Sequence, residues 1–419
     1  MKLQALFVAG VLTVVAGLIS CNGLPIPPIP TPSPEAPGTP YDCANPPALT
    51  GLITVKNPVG GKYIVVLKQR PGIPARAEVQ SVARAFSALK DVRVFEHALS
   101  GFAASADAKT IAAVLKDSRV QYVQEVGTKS IPPVRPGKRR VAAAVPWNLD
   151  RDDQPNLPLD GVYAPGADGS GLHGVDEDTG CDSQHNEFTG RVGECFNAGN
   201  FFGGCEDGND HGTHTAGTIL GTTWGVAKKA TLHCDRVLDK NGSGTDDQVI
   251  AGVDWATKLK NDHPTWDMVA NMSLGGSAAP ALDQAVCNSI AAGVTYVIAA
   301  GNDSGDACLN SPARVAQAIT VAASDDGDNS ADFTSNGKCV SLYAPGVDVE
   351  SAKRGGGSIV FSGTSMATPN VTGGAALYLQ RHPGSTPAQV KAGLLAAATP
   401  GKIKGAPADT ANLLLYVKE

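Results

Sequence analysis

Three short segments carry residue types able to run nucleophilic chemistry on a carbonyl. Gly363-Thr364-Ser365-Met366-Ala367-Thr368-Pro369 places a serine directly after Gly-Thr, where an apolar helical run begins. A serine there sits at the positive helix end, with backbone N–H groups free beside it. It can serve as a plain N-cap or as a nucleophile. Asp210-His211-Gly212-Thr213-His214-Thr215-Ala216-Gly217 sets a histidine among glycines, a suitable place for a general base. The alternative, a His211/His214 metal pair, lacks the neighbouring glutamate of a metalloprotease helix. Asp178-Thr179-Gly180 follows a short strand. An acid there can orient an imidazole through Nδ1 or cap a turn. The three segments fall in the order Asp178, His211, Ser365, one of the orders in which such a triad is built.

These side chains need elements to hold them, and residues 144–419 supply a repeating pattern. Strands are expected at 230–238, 268–274, 294–300 and 319–323, and helices at 246–260, 282–292, 366–380 and 388–398. Strands alternating with helices imply a mainly parallel sheet covered on both faces. Sites in such sheets sit at the carboxyl ends of strands, where the motifs above fall. Upstream, residues 61–128 read as a small α+β unit. Its expected parts are a strand at 62–67, a helix at 74–89, strands within 92–105, a helix capped by Asp107, and a strand at 120–123. That order is ferredoxin-like.

Together the motifs resemble the subtilisin-like serine proteases, in wording closest to the proteinase K/aqualysin branch. The resemblance rests on Asp-Thr-Gly at 178–180, His-Gly-Thr-His-Thr-Ala-Gly-Thr at 211–218, and Asn271-Met272-Ser273-Leu274-Gly275-Gly276. Ala299-Ala300-Gly301-Asn302 and the Gly363 segment complete it. It implies a doubly wound α/β fold and a serine endopeptidase of broad specificity working through an acyl-enzyme. Ser365 would be the nucleophile, His211 the base, Asp178 its orienter and Asn302 an oxyanion donor. Ser273, Leu274, Gly275, Gly276, Ala299, Ala300 and Gly301 would line the S1 pocket. Gly242, Ser243 and Gly244 would pair with substrate as an added strand. The unit at 61–128 looks like the inhibitor-type propeptide of the same family, so an autoprocessed zymogen is expected. Asp176 and Glu177 depart from the pattern, in which the strand before the triad aspartate is apolar. Alternation puts Asp176 on the side of Asp178, where carboxylates raise each other's pKa and weaken the strand's burial. The alternative reading is therefore a catalytically weak or inactive, surface-tethered binding protein that kept the fold.

Asp150, Asp153, Gln154 and Asp160 cluster in 149–160 with oxygen ligands suited to structural Ca²⁺. They fall where the resemblance implies a stabilising calcium, and no catalytic metal is expected. The resemblance pairs Cys308 with Cys339. Cys195–Cys205 is a plausible hairpin link. Cys181, Cys234 and Cys287 have no assigned partner, and seven cysteines in the catalytic part leave one over.

Lys2 followed by an apolar run that ends at Ser20-Cys21 reads as a lipoprotein-type export signal over 1–20. Cys21 would carry the lipid and anchor the chain at a bacterial cell envelope. Residues 21–60 read as a Pro-rich tether containing Cys43, and 129–143 as a processing linker. Self-cleavage is expected between Arg139 and Ala144. The chain of 419 residues carries a net charge of −6, which argues against nucleic acid as a partner. Residues 62–141 carry 15 basic and 6 acidic side chains, and residues 142–419 carry 17 and 32. The basic propeptide should therefore be drawn to the acidic enzyme. Partners are expected to be peptide substrates and the chain's own propeptide, on a monomer.

Overall fold

The structure, a computed structural model, describes residues 38–70, 72–138 and 144–418. The export signal, Cys21, most of the Pro-rich stretch and residues 139–143 lie outside the described residues. In the C-terminal part, apolar runs form a nine-stranded sheet. Its spatial order is Thr399–Pro400, Leu413–Leu414, Leu342–Pro345, Ile319–Ser324, Val294–Ala299, Met268–Met272, His173–Asp178, Thr231–Arg236, Val192–Asn197. Only the pair Thr399–Pro400 and Leu413–Leu414 is antiparallel. Helices His211–Leu220, Thr364–Arg381 and Pro387–Ala397 bury their apolar sides on one face. Asp246–Asp262 and Pro280–Ala292 cover the other. From His173–Asp178 the chain steps out to the edge strand, returns, and then crosses to Met268–Met272. The carboxyl ends of these neighbours therefore form a crevice where the winding reverses.

The strands and helices expected here are present, with ends moved by a few residues. Edge strand Val192–Asn197 and the hairpin of Val349–Ala352 with Ser358–Ser362 were not anticipated. The first of these has mostly exposed or half-buried residues and so lacks an apolar alternation.

Residues 51–130 form a second sheet in the order Gly51–Ile53, Val120–Ser130, Pro58–Leu67, Gly101–Ser105, Lys90–Phe95. Alternation along Pro58–Leu67 divides its side chains. Val65 and Leu67 face the core under the unit's own two helices. Ile64 and Val66, with Phe95 and Tyr122, face the helices Asp246–Asp262 and Pro280–Ala292. Charge complementarity is present at this junction. Lys129 Nζ lies 2.7 Å from Asp246 Oδ1, both side chains buried. The Asp254 carboxylate accepts the backbone N–H groups of Glu96, His97 and Ala98 at 2.7–3.1 Å.

Two expectations change. Gly51–Ile53 pairs in parallel with Val120–Ser130, so the sheet begins before residue 61. Residues 41–49 do not continue a free tether either. Tyr41 and Leu49 are buried in the same apolar cluster as the helix Pro280–Ala292. The pairing of cysteines follows from this docking. The bridges are Cys43–Cys287, Cys181–Cys234, Cys195–Cys205 and Cys308–Cys339. The cysteine left over among seven is Cys287, and its partner comes from the supposed tether, 244 residues away.

Candidate active site

Asp178 ends its strand and His211 opens its helix. The fully buried Asp178 carboxylate meets His211 Nδ1 at 2.8 and 2.9 Å. Thr179 N–H donates to Asp178 Oδ1 at 2.7 Å, which fixes the carboxylate. His211 Nε2 is buried and has no hydrogen-bond partner among the described residues. Asp207 ties these two segments together. It accepts from Thr179 Oγ1 (2.8 Å) on one side and from Thr213 N and Oγ1 (3.0 and 2.7 Å) on the other. Nothing in the run Glu206-Asp207-Gly208-Asn209-Asp210 distinguished Asp207 in sequence. Asp210 precedes the helix with φ 106°, and its carboxylate lies 3.9 Å from Arg354 Nε.

Ser365 sits in the first turn of Thr364–Arg381. Its Oγ donates to Ser273 O at 3.3 Å. Asn302 is held by its amide oxygen, which accepts from Thr364 N and Thr364 Oγ1, both at 2.8 Å. Its Nδ2 is thereby aimed into the crevice, where it donates to Pro133 O at 3.0 Å. Ser130 exchanges two 3.0 Å hydrogen bonds with Gly275. Ile131 N donates to Gly242 O at 2.9 Å. Residues 128–130 pair antiparallel with Ser243–Thr245. Beyond Asn302, Arg135–Pro136 pairs with the strand Ser358–Ser362. The protein's own chain therefore runs through the crevice as an added strand. A cavity of 130 Å³ beside it is lined by Gly275, Gly276, Ala299, Ala300, Gly301 and Pro132 among others. Asn310 and Ala313 also line it, and no motif pointed to them.

Asp176 and Glu177 are buried, as is the rest of their strand after His173. Asp176 stays there because each oxygen meets a donor, Thr215 Oγ1 at 2.8 Å and Asn271 Nδ2 at 2.9 Å. Thr215 is on the His211 helix. Asn271 Nδ2 also donates to Ser273 Oγ at 3.1 Å, which donates to Ser365 O at 3.0 Å. The unexpected acid thus braces the strands and helices that carry Asp178, His211 and Ser365. Burial first, and then the charge of Asp178, pushes the Asp176 carboxyl well up. Glu177 points to the opposite face, where Tyr296 OH donates to its Oε1 at 3.1 Å. Burial pushes it up to about 8. Asp235 lies opposite it in register. Neither Asp235 oxygen has a hydrogen-bond partner among the described residues. Burial and the charges of Glu177 and Asp176 push this carboxyl well up too.

In the 149–160 region, Asp150 Oδ2 accepts Gly161 N at 2.9 Å, while its buried Oδ1 has no hydrogen-bond partner among the described residues. Gln154 Oε1 accepts Asp160 N at 3.1 Å, and its Nε2 donates to the carbonyls of Asn156 and Pro158. Asp153 turns elsewhere, to Ala164 N at 2.6 Å. Among the described residues no group of three or more His, Cys, Asp or Glu side chains is placed to hold a metal.

Comparison with known proteins agrees with this geometry. Residues 177–412 match the Subtilase family, and residues 62–125 match the Peptidase inhibitor I9 family. An extracellular serine proteinase of Thermus sp. (strain Rt41A) is 44% identical over 402 residues, covering 89% of this chain and 95% of that protein. Alkaline serine exoprotease A of Vibrio alginolyticus is 40% identical, covering 85% of this chain and 67% of that protein. The crystal structure of a cold adapted subtilisin-like serine proteinase superposes with a TM-score of 0.63 at 44% identity, over 65% of this chain and 98% of that one. With the family matched over more than half its length and a relative of this identity spanning most of it, the chain belongs to the subtilase family.

Proposed function

We propose that the chain is the zymogen of an exported serine endopeptidase that hydrolyses peptide bonds through an acyl-enzyme and cuts itself. The observation that supports this best is the peptide already laid across the site, with the Pro133 carbonyl on Asn302 Nδ2. In this reading Ser365 Oγ leaves Ser273 O for His211 Nε2, which takes its proton as Oγ attacks the carbonyl carbon. Asp178 holds the Nδ1–H and stabilises the imidazolium. The oxyanion is received by Asn302 Nδ2 and the N–H of Ser365. His211 then protonates the leaving amine, and water repeats the sequence on the acyl-enzyme.

The carbonyl on the oxyanion donor belongs to the residue before the scissile bond. The geometry therefore favours self-cleavage at Pro133–Val134, upstream of the expected Arg139–Ala144 region. The small residues around the 130 Å³ cavity favour apolar P1 side chains. A fluorophosphonate should label the processed chain at Ser365, and N-terminal sequencing should find Val134 or a trimmed product. Absence of labelling in folded, processed chain would remove the enzymatic reading. Asn302→Ala should lower kcat about 10²–10³-fold with KM little changed. An unchanged kcat would assign the oxyanion to other donors.

Cys21 is proposed as the lipid-bearing residue. Asp150, Gln154 and Asp160, with the carbonyls of Asn156 and Pro158, are proposed to hold Ca²⁺. The unpartnered Asp150 Oδ1 and an all-oxygen donor set suit a hard cation. Chelation should lower the Tm of the processed protein, because only the native loop collects that binding energy. Asp160→Ala should abolish the difference between chelated and Ca²⁺-loaded samples. Equal Tm values for the unmodified protein with and without chelator would exclude the site.

A further inference from the structure

The bridge Cys43–Cys287 joins two parts of the chain that processing is meant to separate. Cys43 precedes the inhibitor-like residues 62–125, whereas Cys287 lies on the helix Pro280–Ala292 of the catalytic part. The connection is more than a crosslink. Tyr41 forms a parallel bridge with Val315. Tyr41 N donates to Arg314 O at 2.8 Å and Ala316 N to Tyr41 O at 2.9 Å. Cys43 N donates to Gln317 Oε1 at 2.9 Å, and Gln317 Nε2 to Asp42 Oδ1 at 2.7 Å. Tyr41 is 3% exposed, and the Arg314 guanidinium carbon lies over its ring, 5.5 Å from the centroid. Arg314 is itself fixed, its Nε 2.6 Å from the buried Asp283.

We propose that this face of the catalytic part, made by Cys287 and residues 314–317, keeps the segment 41–43 as a permanent second chain after processing. The inference rests on the self-cleavage proposed above. Hydrolysis of Pro133–Val134 adds one water and leaves two polypeptides, but the disulfide still joins them. The inhibitor is then held at the millimolar effective concentration of a tethered partner, rather than released by dilution. Freeing the crevice requires a second hydrolysis within residues 44–48, of which all but the half-buried Pro47 are exposed, or beyond. That cut removes the inhibitor sheet and leaves a short N-terminal peptide bonded to Cys287. The peptide lies outside the crevice, so the active enzyme is disulfide-linked and two-chained.

The test uses the full chain, expressed in an oxidising compartment and labelled with a fluorophosphonate. Without reductant, the processed protein should keep the mass of both pieces. Dithiothreitol should split it into an N-terminal fragment ending at Pro133 and a labelled catalytic chain. After full activation, intact mass without reductant should exceed that of residues 134–419 by a Cys43-containing peptide, lost on reduction. A 100-fold dilution should leave cleaved but unactivated wild type inhibited. Cys43→Ser should gain activity on the same dilution, because its fragment dissociates. The inference fails if the labelled catalytic chain of wild type has the same mass with and without reductant. It also fails if wild type and Cys43→Ser respond equally to dilution. Lack of label and of cleavage would instead count against the proposed enzymatic function. In that case the Cys43–Cys287 pair is still read by mapping disulfide-linked peptides of the uncut chain.

Discussion

Ser365→Ala should accumulate as the uncut chain, of the full exported length, and should take no fluorophosphonate label. Residual peptide hydrolysis by material cut in trans should fall roughly 10⁶-fold, the scale of removing the nucleophile from such a triad. The fold should be retained. Ser365 Oγ makes a single 3.3 Å hydrogen bond, to Ser273 O, and losing one such bond is worth about 1 kcal/mol. A normal Tm with blocked processing therefore separates loss of chemistry from loss of structure. Normal processing of Ser365→Ala in a host free of other proteases would show that Ser365 is not the nucleophile.

The second large effect is on stability against pH. Glu177 and Asp235 face each other beneath the helix Asp246–Asp262, where Asp235 Oδ2 comes within 2.4 Å of where a Cβ on Gly252 would sit. Only glycine admits this carboxyl beneath the helix. Among the described residues, the titratable groups that act on Glu177 and Asp235 are Tyr296, Asp176 and each other, and none of these supplies positive charge. Burial raises the Glu177 carboxyl from its ordinary 4.5 to about 8. The folded state therefore holds a proton that the unfolded chain releases at lower pH. This contribution is fully present below about pH 4.5. It declines as pH rises and is gone once pH passes the folded value near 8, a span worth on the order of several kcal/mol. Asp176 and Asp235, both raised, act in the same direction. The Tm of wild type should fall from pH 5 to pH 9. Glu177→Val with Asp235→Val should be flatter over that range and more stable at its alkaline end, because apolar side chains replace carboxyls whose ionisation nothing compensates. A double variant as sensitive to alkali as wild type would place the pH dependence elsewhere. Cys43→Ser, which leaves both carboxyls in place, serves as the control for a general loss of stability.

The parallel sheet and the places of Asp178, His211 and Ser365 on it were legible because they depend on local order. Runs such as Val294–Ala299 are apolar for the length of a buried strand, and Ser365 opens an apolar helix within its own motif. The ferredoxin-like order was legible for the same reason, since Asp107 caps its helix by accepting Thr110 N at 2.7 Å. Long-range partnerships were not legible. Cys43 reads as a tether residue because prolines surround it, and only the fold brings Cys287 to it. Asp207 carries no spacing signal, because its partners Thr179 and Thr213 lie on two different segments. The acids at 176 and 177 were noticed, yet their sequence neighbours could not say which finds donors. Asp176 meets Thr215 and Asn271, whereas Glu177 meets one hydroxyl and a second acid. The strand Val120–Ser130 was underestimated because its later residues are polar. They pair with Ser243–Thr245 and Gly275 instead of facing a core of their own.

Under the lipid anchor proposed at Cys21, the Cys43–Cys287 bridge would also set how far proteolysis reaches. With Cys21 as the lipid-bearing residue, 22 positions separate the anchor from the bridge. At full extension they span less than about 80 Å. An oxidised enzyme would then cut only what comes within that length, plus the enzyme's own dimensions, of the membrane, on a leash that survives the loss of its inhibitor. A reductant at the cell surface would convert the same molecule into a diffusing protease without changing a single catalytic residue.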